Sequence, residues 1–297
     1  MSSAAVGTAV TAAAPKPQSR SQILLRRLVR NKLALAGGVI ALLMILAAIL
    51  APLLTPYDYA RPDFNSALQQ PSPAHWFGTD DLGRDQLSRI LFGLRASLQV
   101  GLLAVLIAGL VGIPLGMLAG YFGGWLDTIV SRLTDVLLAF PFLILAVGLA
   151  AILGPSLTNA TIAVAIAQIP ALVRVSRAEA LRLRDSDYVA AAIANGGTPL
   201  RALVQHVLPN SASALIVQLT VAIPAAILSE AVLSYLGLGV QPPTPSLGVM
   251  LSAAQSFLFP APWLAVFPGL FIVLATLAFN LFGDGARDAF DPRGDRS

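Results

Sequence analysis

His75 and His206 are the only two imidazoles in the chain, there is no cysteine, and Glu230 is the one acid between Ala202 and Gly283. The lack of cysteine removes disulfides, thiolate metal sites and cysteine nucleophiles together. The histidines lie far apart and, in the topology derived below, on opposite faces of a membrane, so they share no metal and no proton relay. Each reads as a hydrogen-bonding surface residue. A buried serine nucleophile would need a base beside it, and the apolar run that carries the serines near Glu230 offers none. A phosphate-cradling loop needs lysine after glycine, so that backbone amides and the ammonium hold the phosphates together. Lys16 instead follows Pro15, and Lys32 follows Asn31. The chain is therefore read as no enzyme, with no metal and no bound cofactor, and any ATP hydrolysis belongs to a partner.

Glu230 needs an explanation of its own, because an acid inside a membrane span costs ~2 kcal/mol or more unless it meets water or a partner. Two readings stand: it lines a translocation path or touches a partner subunit, or it makes an interhelical hydrogen bond that orders the bundle.

A second informative stretch reads DYVAAAIANGGTPLRALVQHVLPN, from Asp187 to Asn210. Ser186 or Asp187 can cap a short helix that Ala190, Ala191 and Ala192 continue with the best helix former. Gly196 and Gly197 stop it in a left-handed turn, and Thr198 caps a second helix with Pro199 at its first position. Its small side chains permit close approach by another protein's groove; the alternative is an ordinary connector between spans.

The elements that position these residues are membrane helices. Hydrophobic residues make up 56% of the 297, and charged ones only 11% against the roughly 25% of soluble domains. Mean hydropathy is +0.77. The charges are missing in blocks long enough for a bilayer, where ~20 apolar residues suffice per helix. Six spans follow: Leu33 to Leu54, Leu98 to Tyr121, a third ending near Leu153 at Gly154-Pro155-Ser156, Leu157 to Leu172, Ala212 to Leu236, and Leu264 to Phe282, with kinks at Pro141 and Pro170. The first run is too long for a signal-peptide core of ~7 to 15 residues. The mixed-charge connection from Thr55 to Arg95 reads as solvated or interfacial, with Asp80, Asp81 and Asp85 on a solvated face, and Gly237 to Trp263 reads as a loop at the outer interface. Residues 1–21 read as a disordered cytoplasmic tail, 22–96 as the first transmembrane helix and external loop, 97–284 as a core of five transmembrane helices, and 285–297 as a cytoplasmic tail. Fifteen of the 19 Lys and Arg fall on the face shared by both termini, leaving Arg61, Arg84, Arg89 and Arg95 opposite, so both termini are expected in the cytoplasm. That placement also accounts for the pI near 9.8 without nucleic acid.

The Asp187–Asn210 segment resembles the cytoplasmic loop of ATP-binding-cassette (ABC) import permeases, whose pattern is Glu-Ala-Ala, three residues, Gly, then about eleven residues to Leu-Pro. Ala191, Ala192, Gly196, Leu208 and Pro209 match it, while Ala190 stands where the family has glutamate. The stretches HWFGTDDLGRDQLSRILFGLRASLQVGL, LSYLGLGVQPPTPSLGVML and AFNLFGDGARDAFDPR are similar to the second, C-type permease of dipeptide, oligopeptide and nickel importers, with Leu247 and Val249 departing from its Trp and Asn. The resemblance covers about Arg26 to Arg293. It implies an all-α type I importer permease: six transmembrane helices with a cytoplasmic coupling helix, in the cytoplasmic (inner) membrane of a bacterium or archaeon. Asp187, Tyr188, Ala190, Ala191, Ala192, Gly196, Gly197, Leu208 and Pro209 would then couple to an ATPase subunit. The implied partners are a second permease in a heterodimer, one or two ABC ATPases carrying ATP and Mg, and an extracytoplasmic solute-binding protein that delivers peptides or a similar small solute. An ion-coupled secondary transporter is the alternative, but it would show repeated halves and several intramembrane ionisable groups.

Overall fold

The computed structural model describes residues 31–290. The tail expected over 1–21, the cations Lys16, Arg20, Arg26, Arg27 and Arg30, and Arg293 and Arg296 lie outside the described residues. Within them the chain is helical, with no strand and one isolated bridge between Thr79 and Asp85. Lipid offers no partner to a backbone amide or carbonyl, so an apolar run that crosses it closes its bonds within a helix.

In chain order the helices are α1 (Lys32–Ile49), α2 (Ala51–Leu54), α3 (Gln86–Phe122), α4 (Gly124–Leu138), α5 (Phe142–Leu153), α6 (Leu157–Arg184), α7 (Asp187–Ala194), α8 (Pro199–Ala202), α9 (Leu208–Tyr235), α10 (Leu247–Ala254) and α11 (Trp263–Phe290). Among the described residues, α1, α3, α6, the α8–α9 run and α11 are each long and apolar enough to cross a membrane. α4 and α5 pass the same test only as a pair, bent by 92° at the break between them, and make a sixth span if the bent pair crosses as one.

The third span thus departs from the single helix expected to end at Leu153. Pro141 has no N–H to donate and holds an extended ψ of 130° at the start of α5, so the helical ladder ends before it. Two further boundaries move. α3 begins at Gln86 rather than Leu98, and α6 continues past Leu172 to Arg184. Helices need not stop where the bilayer does, and charged turns remain helical in the polar zone. Pro209, near the start of α9, is accommodated by a five-residue π turn, Leu203–Val207, that links α8 to α9 without a break. A wider turn makes room for a ring that would clash with the carbonyl four residues back.

Packing depends on small residues. α3 lies along α6 through Gly112, Gly116 and Gly120, one turn apart on one face. A Cβ on Gly112 would stand 3.1 Å from the Ile169 carbonyl, one on Gly120 2.5 Å from that of Arg177, and one on Gly116 would overlap Val173 and Ser176. Glycine lets the two backbones touch, as membrane helices require in the absence of a hydrophobic drive between them. α1 meets α11 in the same way, with Gly37 against Ala278. The outer flanks carry exposed leucines such as Leu42, Leu43 and Leu53, the last 82% exposed. Such a surface suits acyl chains and not water.

Candidate functional site

The connection from α6 to α9 holds most of the residues expected to couple. α7 is anchored by one buried side chain, Val189, which packs with Ala180, Leu183, Ala202 and Val207. Asp187, Tyr188, Ala190, Ala191, Ile193 and Leu200 are exposed around it. The helix ends in a Schellman turn: Gly197 N–H donates to the Ala192 carbonyl at 3.0 Å and Gly196 N–H to that of Ile193 at 2.9 Å. Only Gly196 is left-handed, at φ 86°; Gly197 is needed for room, since a Cβ there would stand 2.6 Å from the Ala192 carbonyl. Thr198 Oγ1 accepts from Arg201 N–H at 3.3 Å, and Pro199 opens α8. One local expectation fails. Ser186 occupies the cap position of α7, but its hydroxyl donates backward to the Leu183 carbonyl at 2.6 Å, and no side chain caps that helix. Leu208 and Pro209 lie exposed at the start of α9.

Glu230 sits near the other end of α9 and is wholly enclosed, at 0% exposure. Ser234 Oγ donates to Glu230 Oε1 at 2.7 Å, and Ser97 of α3 and Ser246, which caps α10, face the same carboxyl. Glu230 Oε2 and Ser97 Oγ are buried without a hydrogen-bond partner among the described residues. In this conformation α3, α9 and α10 close around Glu230.

The loop between α2 and α3 also departs from expectation. Asp80 and Asp85 are buried rather than on a solvated face. The Asp80 carboxylate accepts from Arg84 Nε at 2.7 Å and from two backbone amides, and pairs with Arg89 Nε at 3.3 Å. Asp85 caps α3 by accepting from Ser88 N–H at 2.8 Å, and its other oxygen lies 2.9 Å from His75 Nδ1. His75 thus bonds within the protein, and His206 lies in the π turn at the far end of α9. No group of three or more His, Asp or Glu side chains that could hold a metal ion occurs among the described residues.

One feature escaped the sequence reading. A cavity of about 460 Å³ opens at the α4–α5 break, walled by Leu138, Phe140, Pro141 and Phe142, by Gln168 of α6, and by Gln218 and Ala222 of α9. No ionisable side chain lines it. The available signal was a glutamine, Gln168, inside the charge-free stretch between Asp135 and Arg174.

Comparison with known proteins gives consistent matches. The family described as binding-protein-dependent transport system inner membrane component matches residues 112–296. The N-terminal transmembrane domain of oligopeptide transport permease C matches residues 19–71. The dipeptide transport system permease protein of Alkalihalophilus pseudofirmus is 48% identical over 90% of this chain and 88% of its own length. The glutathione transport system permease protein of Pectobacterium atrosepticum is 45% identical over 90% and 89%. Among solved structures, inward-facing conformations of the MetNI methionine ABC transporter share the fold, with a TM-score of 0.57 at 16% identity over 69% of this chain and 97% of that one.

Proposed function

This chain belongs to the binding-protein-dependent transport system inner membrane components, and from that membership and the geometry above we propose how it works as an importer subunit. It is a multi-pass permease subunit of an ABC importer, moving peptides or a similar small solute at the expense of ATP hydrolysed on partner subunits. The ion-coupled alternative finds no support in these matches.

In the working assembly the chain pairs with a second permease, and one or two ATPases carry ATP and Mg on the cytoplasmic side. A solute-binding protein delivers cargo at the opposite face of the inner membrane of a bacterium or archaeon. Both termini lie in the cytoplasm, as the distribution of Lys and Arg supports. The observation that carries the reading is the α7–α8 unit: a rigid turn-bounded helix, held by Val189 alone and presenting alanines outward, is shaped to enter a cleft of the ATPase. When ATP closes the ATPases, α7 is pushed, and the strain enters the span through α8, the π turn and α9, which run on without a gap. Tyr188, Gly196, Gly197, Leu208 and Pro209 keep the shape and direction of that lever. Ala190, where the family has glutamate, presents a methyl in place of an acid.

The enclosed carboxyl of Glu230 supports a tie between α9, α3 and α10 in this conformation. A path role requires a state in which α9 turns away from both. Glu230→Gln separates these: the tie predicts lower stability in detergent with uptake retained, the path role lost uptake at unchanged stability.

The test of the whole reading is purification of the tagged chain from its own host in mild detergent, with mass spectrometry of what accompanies it. Recovery of a second permease and P-loop ATPases is expected. Recovery of the chain alone, active in ion-driven uptake, would overturn the reading.

A further inference from the structure

The cavity at the α4–α5 break differs from the other regions described above in the chemistry it offers. Its walls are mostly apolar, and the polar side chains among them, Gln168 and Gln218, are both neutral amides. Pro141 stands at the cap position before α5 and supplies no side-chain cap, and the first amide of that turn to find a backbone partner is Leu145 N–H, which donates to the Pro141 carbonyl at 3.1 Å. The amides of Phe142, Leu143 and Ile144 are the orphan donors that every helix start leaves. In a membrane such groups are tolerated only where protein or a wet cavity satisfies them.

Gln168 supplies the independent observation. It is only 6% exposed and lines the cavity from the middle of α6, eleven residues from the start of that helix. Its Nε2 is committed to the Ala222 carbonyl at 3.4 Å, while its Oε1 has no partner among the described residues. A buried amide tied by its donor therefore turns a free acceptor toward space that could hold a ligand. A volume of about 460 Å³ falls within the usual range for small-molecule sites, roughly 300 to 1,000 Å³.

We propose that this cavity is a transit site for the main chain of a short peptide, with Gln168 Oε1 accepting from a peptide N–H and the free amide of Phe142, which lines the cavity at the start of α5, donating to a peptide carbonyl. The proposal rests on the peptide reading above and goes further by naming which part of the solute is read. Apolar walls without charge accept varied side chains, while neutral donors and acceptors select the amide that all peptides share. A site built to bond a substrate N–H discriminates strongly against an analogue that lacks it, because its own buried acceptor is then left unpaired.

The experiment uses the complete transporter in proteoliposomes, with ATP supplied to the ATPases and the binding protein added outside. Uptake of alanyl-alanine is compared with that of its ester isostere, in which oxygen replaces the peptide N–H. The binding protein is the same in each preparation, so a change in the preference between variants reports on this chain. Gln168→Met conserves volume and removes the acceptor, and it is expected to reduce the KM preference for amide over ester about tenfold. An unchanged preference in an assembled Gln168→Met transporter overturns the proposal. Should that variant fail to assemble, Ala171→Leu narrows the cavity from an exposed position one turn along α6. It is expected to raise the KM for alanyl-alanine severalfold, and an unchanged KM overturns the proposal equally. A wild-type transporter that imports neither compound would overturn the peptide reading itself, and the transit site with it.

Discussion

The α2–α3 loop and the α7–α8 unit invert what their compositions suggest. The loop is crowded with charge and looks like a solvated surface, yet Asp80 and Asp85 are buried in it, as is Arg89 in the first turn of α3. The unit is built of alanine and other small residues that would suit a core, yet of α7 only Val189 is buried. Charge in the loop is spent internally: Asp80 holds Arg84 and Arg89, Arg89 also reaches the Tyr59 carbonyl at 3.1 Å, and Trp263 Nε1 meets the Thr79 carbonyl at 3.4 Å. The loop is pinned to the bundle. Small side chains in α7 leave its surface free for something outside the chain. One region is fixed by its own contacts, and the other keeps its shape through turn geometry with most of its surface exposed.

Four substitutions sharpen or break that contrast. The largest effect on stability is expected from Asp80→Leu, which leaves the buried Arg89 and the partly buried Arg84 without their carboxylate and costs about 3–5 kcal/mol. Thermal unfolding in detergent should show it, and a change under about 1 kcal/mol would mean that the loop is looser than its geometry. Val189→Ala removes the single anchor of α7 and should cost about 2 kcal/mol by the same measurement. Thr198→Ala takes away the cap of α8 and should cost about 1 kcal/mol. Ala191→Trp, on the exposed face of α7, should change stability by less than about 0.5 kcal/mol while abolishing ATP-driven uptake in the assembled transporter. If Ala191→Trp lowered stability as much as Asp80→Leu, α7 would be a buried element and the contrast would collapse.

The legible parts of the sequence were those set by neighbours along the chain. Gly196, Thr198 and Pro199 announced a stop and a start because turn and cap chemistry is local, and Gly154-Pro155-Ser156 separated α5 from α6 for the same reason. Charge-free blocks placed the spans. What stayed hidden depended on distant partners. The burial of Arg89 in the first turn of α3 depends on Asp80 and the Tyr59 carbonyl, and nothing beside Arg89 in sequence reports the bond to Tyr59. The bend of 92° needed more than Pro141, since Pro170 lies within α6 without ending it. The enclosure of Glu230 depends on Ser97 and Ser246, far away in the chain. Gln168 and Gln218 carried no charge and so drew no notice among leucines and alanines.

The central claim is that α7 enters a cleft of the ATPase. The natural chain has no cysteine, so Ala191→Cys places one thiol on the exposed face of α7 and Asn65→Cys places one on the α2–α3 loop. Each variant is treated with a short thiol-to-amine cross-linker in the assembled transporter, and the products are identified by mass spectrometry. The account predicts an ATPase adduct from Ala191→Cys and none from Asn65→Cys; an ATPase adduct from Asn65→Cys with none from Ala191→Cys would contradict it.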